Sequence, residues 1–530
     1  MMQSGTPELL DPIDIPDVML PYLTAQLADV LRQHGTVARQ GDALDFHPHN
    51  QGVACRLTIT LGFRPGSAHD HRYAIRVAAL HPIDNDYFKV WNAVGILQGQ
   101  PLLPGGDAVI GQFESIPSPP LDPRRLIFSI DGTQHDADAQ RGLLKYGPYS
   151  KELSRRRTLH IAYLDDPHRS SDNIEYFLHN LRDGIKNPQS VASIWGRPWS
   201  ETFHFAAVVF TPIHPSQVER IEDWEFFLAG KNAHGAAVDV VIYFADAMDA
   251  SLESDLLTLG IQSHRVPQAA LDWQDIPRAE CLLDTALALY AKCHGEPWLL
   301  TQDPKLTHEV VVGIGSHSIG GRELGYATVF TSQGNYRLGE ASWMPPNVPW
   351  EDYFGQLIAN KLLKLERENQ WERFATVHLL LHLDRAMPPA QLTTLKAHLE
   401  NCFGDRATIQ MSFLHLRTDH AYTFWTVGVN TPVPRGTCIE LDQRSALIQL
   451  ATSGKPLLLE LLEPSDKPGL MFKLRQVYYF SQMAWTSVRP AELPVTLLYS
   501  QLVAAKFAAY SLVRPGLRLP PSLHTLPWYL

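Results

Sequence analysis

The chain has 530 residues, 45% of them hydrophobic and 19% charged, with a formal net charge of −11. Such a length supports roughly two to four domains with real cores, and the composition excludes a disordered or fibrous chain. The five cysteines (Cys55, Cys281, Cys293, Cys402, Cys438) are widely spaced and contain no Cys-x-x-Cys pair, so neither a disulfide framework nor a zinc site is indicated and a reducing cytoplasm is expected.

Residues 1–21 are acidic and lack a basic leader, and no stretch of about 18 apolar residues occurs, so secretion and membrane spanning are not expected. An amphipathic helix is expected over 22–33. Arg56-Leu57-Thr58-Ile59-Thr60-Leu61-Gly62-Phe63 then alternates with period two and Tyr73-Ala74-Ile75-Arg76-Val77 follows, which predicts a β-rich N-terminal region over 1–122. The proline-rich stretch Ile116-Pro117-Ser118-Pro119-Pro120-Leu121-Asp122-Pro123 cannot continue a helix or a central strand and marks a boundary. His47-Pro48-His49 and His69-Asp70-His71 carry ligand-type residues but read as solvated loops, and no site is assigned to them.

From Thr158 onward, short apolar runs alternate with helical patterns: strands at 159–164, 206–210 and 238–244, and helices at 174–185 and 218–229. Strands separated by helices imply a mainly parallel sheet covered on both faces. A long helix over 278–292 leads into the turn His294-Gly295-Glu296-Pro297. Val310-Val311-Val312-Gly313-Ile314-Gly315 opens a second unit, with strands at 326–330 and 336–338, a helix at 353–367, a strand at 376–383 and a helix at 389–401. That order is the order of a ribonuclease-H-like fold.

Charge is uneven along the chain. Lys473, Arg475, Arg489, Lys506, Arg514 and Arg518 fall in one stretch with a single acid, Glu492, against the acidic balance of the whole. This is the electrostatic footprint of a polyanion site, and Tyr478, Tyr479, Phe480, Trp485 and Tyr499 interleave with it as expected where phosphates and bases are both met. Arg475, Arg489 and Arg514 are the expected contacts to a nucleic-acid backbone. Residues 1–50, with seven acids and two Arg, would repel a nucleic acid. Pro527-Trp528-Tyr529-Leu530 is apolar enough to pack into the fold.

In order along 124–530, several segments resemble the MID and PIWI lobe of prokaryotic Argonautes. They are Leu143-Leu144-Lys145-Tyr146-Gly147-Pro148-Tyr149, Gly295-Glu296-Pro297-Trp298-Leu299-Leu300, Val311-Val312-Gly313-Ile314-Gly315, Gly436-Thr437-Cys438-Ile439-Glu440-Leu441, Ser481-Gln482-Met483-Ala484-Trp485, Leu493-Pro494-Val495-Thr496 and the terminal Pro-Trp-Tyr-Leu. The resemblance implies an α/β chain: a Rossmann-like MID domain over 123–308 and a ribonuclease-H-like PIWI domain over 309–530. Residues 1–122 carry no such match and no PAZ-sized segment is present, which implies a short or truncated Argonaute.

The resemblance also assigns site residues. Cleaving members hold two divalent metals with acids, because in-line attack on a phosphodiester needs charge stabilisation at both oxygens. At the alignable ligand positions this chain has Gly315, Asp384 and Gln501; glycine and a neutral amide replace two acids, which implies a PIWI domain that does not cut. For the guide end, Gln262 and Lys292 match two phosphate-holding positions, Lys506 matches a basic PIWI position, and the Leu530 carboxylate would share a magnesium ion. The Tyr/Lys pair of the family is missing, since 244–262 contains no Tyr, Lys or Arg.

The expected function is that of a catalytically inactive binder of a short guide RNA or DNA and its complementary DNA or RNA target, in prokaryotic defence. A separately encoded effector or N-lobe (APAZ-type) subunit is the expected partner. Two other readings stand beside it: a guided nuclease with rearranged acids such as Asp384, Asp419 or Asp442, and an interaction scaffold that has lost guide binding.

Overall fold

The computed structural model describes residues 19–41, 43–49, 54–63, 71–79, 120–150, 157–165, 171–218, 221–228, 237–301, 310–319, 321–369, 375–404, 407–420, 422, 424, 432–452, 454–463, 469–520 and 523–530. The chain divides into two compact units, Met1–Asp122 with His415–Tyr478, and Pro123–Leu414 with Tyr479–Leu530. The residues Pro117, Ser118 and Pro119 of the proline-rich stretch lie outside the described set, as do His69 and Asp70.

In the first unit, helix Met19–Arg32 buries Leu23, Leu27 and Leu31, spaced one helical turn apart. An antiparallel meander follows, Gly35–Gln40, Ala43–Pro48, Cys55–Phe63 and His71–Ala79 in spatial order. The period-two pattern emerges as burial of Cys55, Leu57 and Ile59 on one face. The same unit holds a second antiparallel set, Cys438–Glu440, Ser445–Ile448 and Leu457–Leu461. The Leu121 amide donates to Gly436 O at 2.9 Å, which ties the end of the N-terminal segment to it.

The second unit contains both expected folds. Its Rossmann-like part is a four-stranded parallel sheet in the order Gln262–Val266, Val240–Phe244, Thr158–Leu164, Ala207–Ile213. Leu256 of helix Ala250–Thr258 and Trp224 of helix Ile221–Leu228 pack with Ala162, Ile213 and Val241 on one face. Helix Asp275–Lys292 buries Leu282, Leu283, Ala286, Leu287 and Tyr290.

Its ribonuclease-H-like part has strands Val310–Ile319, Arg322–Thr331 and Tyr336–Trp343 as an antiparallel hairpin series. Helix Trp350–Asn369 then crosses over to strand Ala375–Leu383, which runs parallel to Val310–Ile319. Helix Val495–Val513 packs against this sheet through a place where only glycine fits: a Cβ on Gly313 would lie 2.2 Å from Thr496 O. Around that approach Thr328 Oγ1 donates to Thr496 O at 2.7 Å, and His382 Nδ1 and Thr496 Oγ1 are 2.7 Å apart.

Among the described residues no helix is long and apolar enough to cross a membrane, and no disulfide joins the cysteines.

Candidate functional site

The parallel sheet brings Gln262, at the start of its edge strand, against the C-terminal end of helix Asp275–Lys292. Gln262 Nε2 donates to Lys292 O at 2.6 Å and Lys292 Nζ donates to the carbonyls of Ser263 and, at 3.2 Å, Trp528. Both side chains are buried. Burial and the nearby Lys506 hold the Lys292 ammonium well below the ordinary lysine range. Leu530 is half-buried beside His264, whose imidazole is held far below its usual pKa by burial and by Lys292, Lys506 and Arg265, against the pull of the Leu530 backbone oxygen. The structure therefore brings Gln262, Lys292, Lys506 and Leu530 into one neighbourhood.

One member of that neighbourhood was not expected. Glu253, in helix Ala250–Thr258, is 1% exposed; its Oε2 accepts from Lys506 Nζ at 3.1 Å and from the Tyr510 hydroxyl, and its Oε1 accepts from the Tyr243 hydroxyl. Burial pushes the Glu253 carboxyl up, but Lys506, both phenols and Lys292 together bring it below the ordinary glutamate value. Nothing local marks it in the sequence, where Leu252-Glu253-Ser254-Asp255 reads as an ordinary helix segment. Glu253 is engaged by three donors, and among the described residues no group of three His, Cys, Asp or Glu could hold a metal ion.

At the strand ends of the ribonuclease-H-like sheet, Gly315 sits opposite Tyr326 on one neighbouring strand, while Ile314 pairs with Leu383, the residue before Asp384, on the other. The Tyr326 hydroxyl donates to Asp384 Oδ2. A Cβ on Gly315 would lie 2.2 Å from Asp384 Oδ2 and 2.4 Å from the Tyr326 hydroxyl, so this bridge fills the place of a side chain at 315. Burial raises the Asp384 carboxyl above the ordinary aspartate value, against the opposing pull of Tyr326 and Arg385. Arg385 donates to Glu323 at 3.2 Å and stacks 4.7 Å over the Trp350 ring. Gln501 is exposed on helix Val495–Val513. Asp419 pairs with Arg417 at 3.1 Å, and Asp442 caps its own turn by accepting from the amides of Arg444 and Ser445 at 2.7 Å.

The basic stretch is less open than its sequence suggests. Arg489 pairs with Glu280, and Arg514 pairs with Asp255 at 3.2 Å and donates to Thr258 at 2.6 Å; Arg475 is exposed. Lys473 is buried. Four of the five interleaved aromatics are core residues: Tyr478, Phe480, Trp485 and Tyr499 are at most 3% exposed, and Phe480 and Tyr499 pack on Phe330, while Tyr479 is half-buried under Arg124. Aromatic spacing alone cannot separate a stacking surface from a buried cluster. Tyr336, Tyr499, Trp528 and Tyr529 form a continuous ring cluster that buries the terminal segment.

No family model matches the chain. It is 27% identical over 434 residues to the protein argonaute of Cereibacter sphaeroides, covering 71% of this chain and 54% of the relative. It is 25% identical over 276 residues to the Piwi protein of Archaeoglobus fulgidus, covering 45% of this chain and 62% of that protein. The chain thus spans about half the length of the first relative. Among solved structures it is similar to Aa-Ago with externally bound siRNA, with a TM-score of 0.55 and 14% identity over 84% of this chain and 59% of that one. It is also similar to A. aeolicus Argonaute, with a TM-score of 0.53 and 14% identity over 85% and 63%. In sequence the chain is similar to argonaute and Piwi proteins, and it shares the fold of the solved Argonaute structures.

Proposed function

We propose that this chain holds a short guide strand of RNA or DNA and pairs it with a complementary target without cutting it. The observation that carries the proposal is the Tyr326–Asp384 bridge over Gly315: the one acid at the expected ligand positions is held by a phenol, and its neighbour has no side chain. In-line cleavage needs carboxylates that fix two cations. Asp419 and Asp442, the acids of the rearranged-nuclease reading, are taken up by an ion pair and a turn cap. Likeness to the argonaute and Piwi relatives, and the siRNA bound to the Aa-Ago neighbour, support a nucleic-acid ligand.

A non-cutting binder reports a target only through another protein. The reading therefore includes a separately encoded effector or N-lobe subunit, with prokaryotic defence as its setting and the acidic N-terminal segment as its docking surface. Protein contacts position the strand, and base pairing supplies sequence.

The test is to purify the protein from its host, extract bound nucleic acid and end-label it with and without phosphatase. Short strands of uniform length support guided binding. A preparation free of nucleic acid, with and without its partner, favours the scaffold reading.

A further inference from the structure

We infer that the neighbourhood of Gln262, Lys292 and Lys506 accepts a strand end bearing a hydroxyl in preference to one bearing a phosphate, because Glu253 already takes the place of an anion there. The inference rests on the guided-binding reading.

A terminal phosphate is held by dense, charge-assisted donors. In this neighbourhood the donors are Gln262 Nε2, Lys292 Nζ, Lys506 Nζ and the hydroxyls of Tyr243 and Tyr510. Each is engaged by the protein. Gln262 and Lys292 donate to the backbone oxygens of Lys292, Ser263 and Trp528, while Lys506, Tyr243 and Tyr510 converge on the two oxygens of Glu253. The arrangement is an anion site whose anion is a side chain.

A phosphate that recruited Lys506 would take the cation from a carboxylate that is 1% exposed, leaving a buried charge unpaired, and would place its own charge beside that carboxylate. Besides Trp528 Nε1, a donor, an acceptor is also left over. Gln262 Oε1 is buried without a hydrogen-bond partner, and the donation of Nε2 to Lys292 O fixes which end of the amide it is. It is an acceptor, so a hydroxyl can donate to it and an ionised phosphate oxygen cannot.

The test is fluorescence anisotropy on the full chain with labelled single strands of one sequence, as RNA and as DNA, carrying a phosphate or a hydroxyl at each end in turn. The expected result is that the hydroxyl-ended strand binds tighter than its phosphate-ended twin, by about threefold or more. Glu253→Gln keeps an acceptor for one phenol, offers the other phenol's oxygen an N–H donor and releases Lys506, and should shift the ratio toward phosphate by about tenfold. A phosphate-ended strand that binds as tightly as its twin, or tighter, in the unmodified protein overturns the inference whatever the variant does. An unchanged ratio in a folded Glu253→Gln protein overturns it too. Binding of neither strand removes the guided-binding reading itself, and this inference with it.

Discussion

Tyr326 reaches Asp384 across a backbone that carries no side chain, since Gly315 lies on the strand between them. The glycine and the bridge require each other: any side chain at 315 would meet both partners at once.

Gly315→Asp should therefore destabilise the protein instead of restoring a metal site. Its Cβ would meet Asp384 and Tyr326 within 2.4 Å, and its carboxylate would face a second, half-buried acid. Overpacking with a buried like charge predicts a loss of about 3 kcal/mol, measured as a shift in urea midpoint. Adding Tyr326→Phe and Asp384→Ala removes the atoms it meets and should recover much of that loss.

Asp384 gives a pH signature. Its folded-state pKa is raised, chiefly by burial, so the folded protein binds the proton more tightly than the unfolded chain does. Stability then falls as pH climbs from the ordinary aspartate range through the folded-state value. Asp384→Asn cannot ionise and still accepts from Tyr326. Its stability relative to the unmodified protein should rise over that window and level off above it, which urea titrations at a series of pH values would show. A difference independent of pH would contradict the burial argument.

The Glu253–Lys506 pair works in the opposite sense. Burial opposes ionisation of Glu253, but Lys506 and the phenols outweigh it and the folded-state pKa is lowered. Its stabilising contribution is present above the ordinary glutamate range and lost as pH falls through the lowered value. Lys506→Met leaves the carboxylate buried without its cation and should cost about 3 kcal/mol at neutral pH. A double-mutant cycle with Glu253→Gln should give a coupling of about 1 kcal/mol or more, because the residues share one hydrogen-bond network.

The basic stretch separates into compensated and uncompensated charge. Arg475→Ala should reduce the salt dependence of strand binding by about one unit of log–log slope if this side chain meets a phosphate. Arg489→Ala and Arg514→Ala should change that slope much less, because Glu280 and Asp255 already pair with them. Equal effects at all three positions would mean that the ion pairs open to receive the strand.

What the sequence discloses follows the range of the interactions involved. The parallel sheet and the crossover from Val310–Ile319 to Ala375–Leu383 are legible because apolar runs and helical periods are local. Gly315 and Asp384 are legible from family resemblance alone. Tyr326 is not, because its role depends on a register that sets it opposite Gly315. Glu253 is hidden for a similar reason: its partners Lys506 and Tyr510 are more than 250 residues away in the chain. The aromatic residues near Tyr499 misled because burial, not spacing, separates a core from a surface. The grouping of His415–Tyr478 with Met1–Asp122 is likewise a matter of long-range contact that linear order conceals.

The most direct test of the central claim is to load the protein with a guide, add an end-labelled complementary target in magnesium or manganese, and follow binding and length together. The expected result is a target retained by the complex at full length, with no difference between the unmodified protein and Asp384→Ala. A target shortened at one defined position, and left whole by Asp384→Ala, would contradict it.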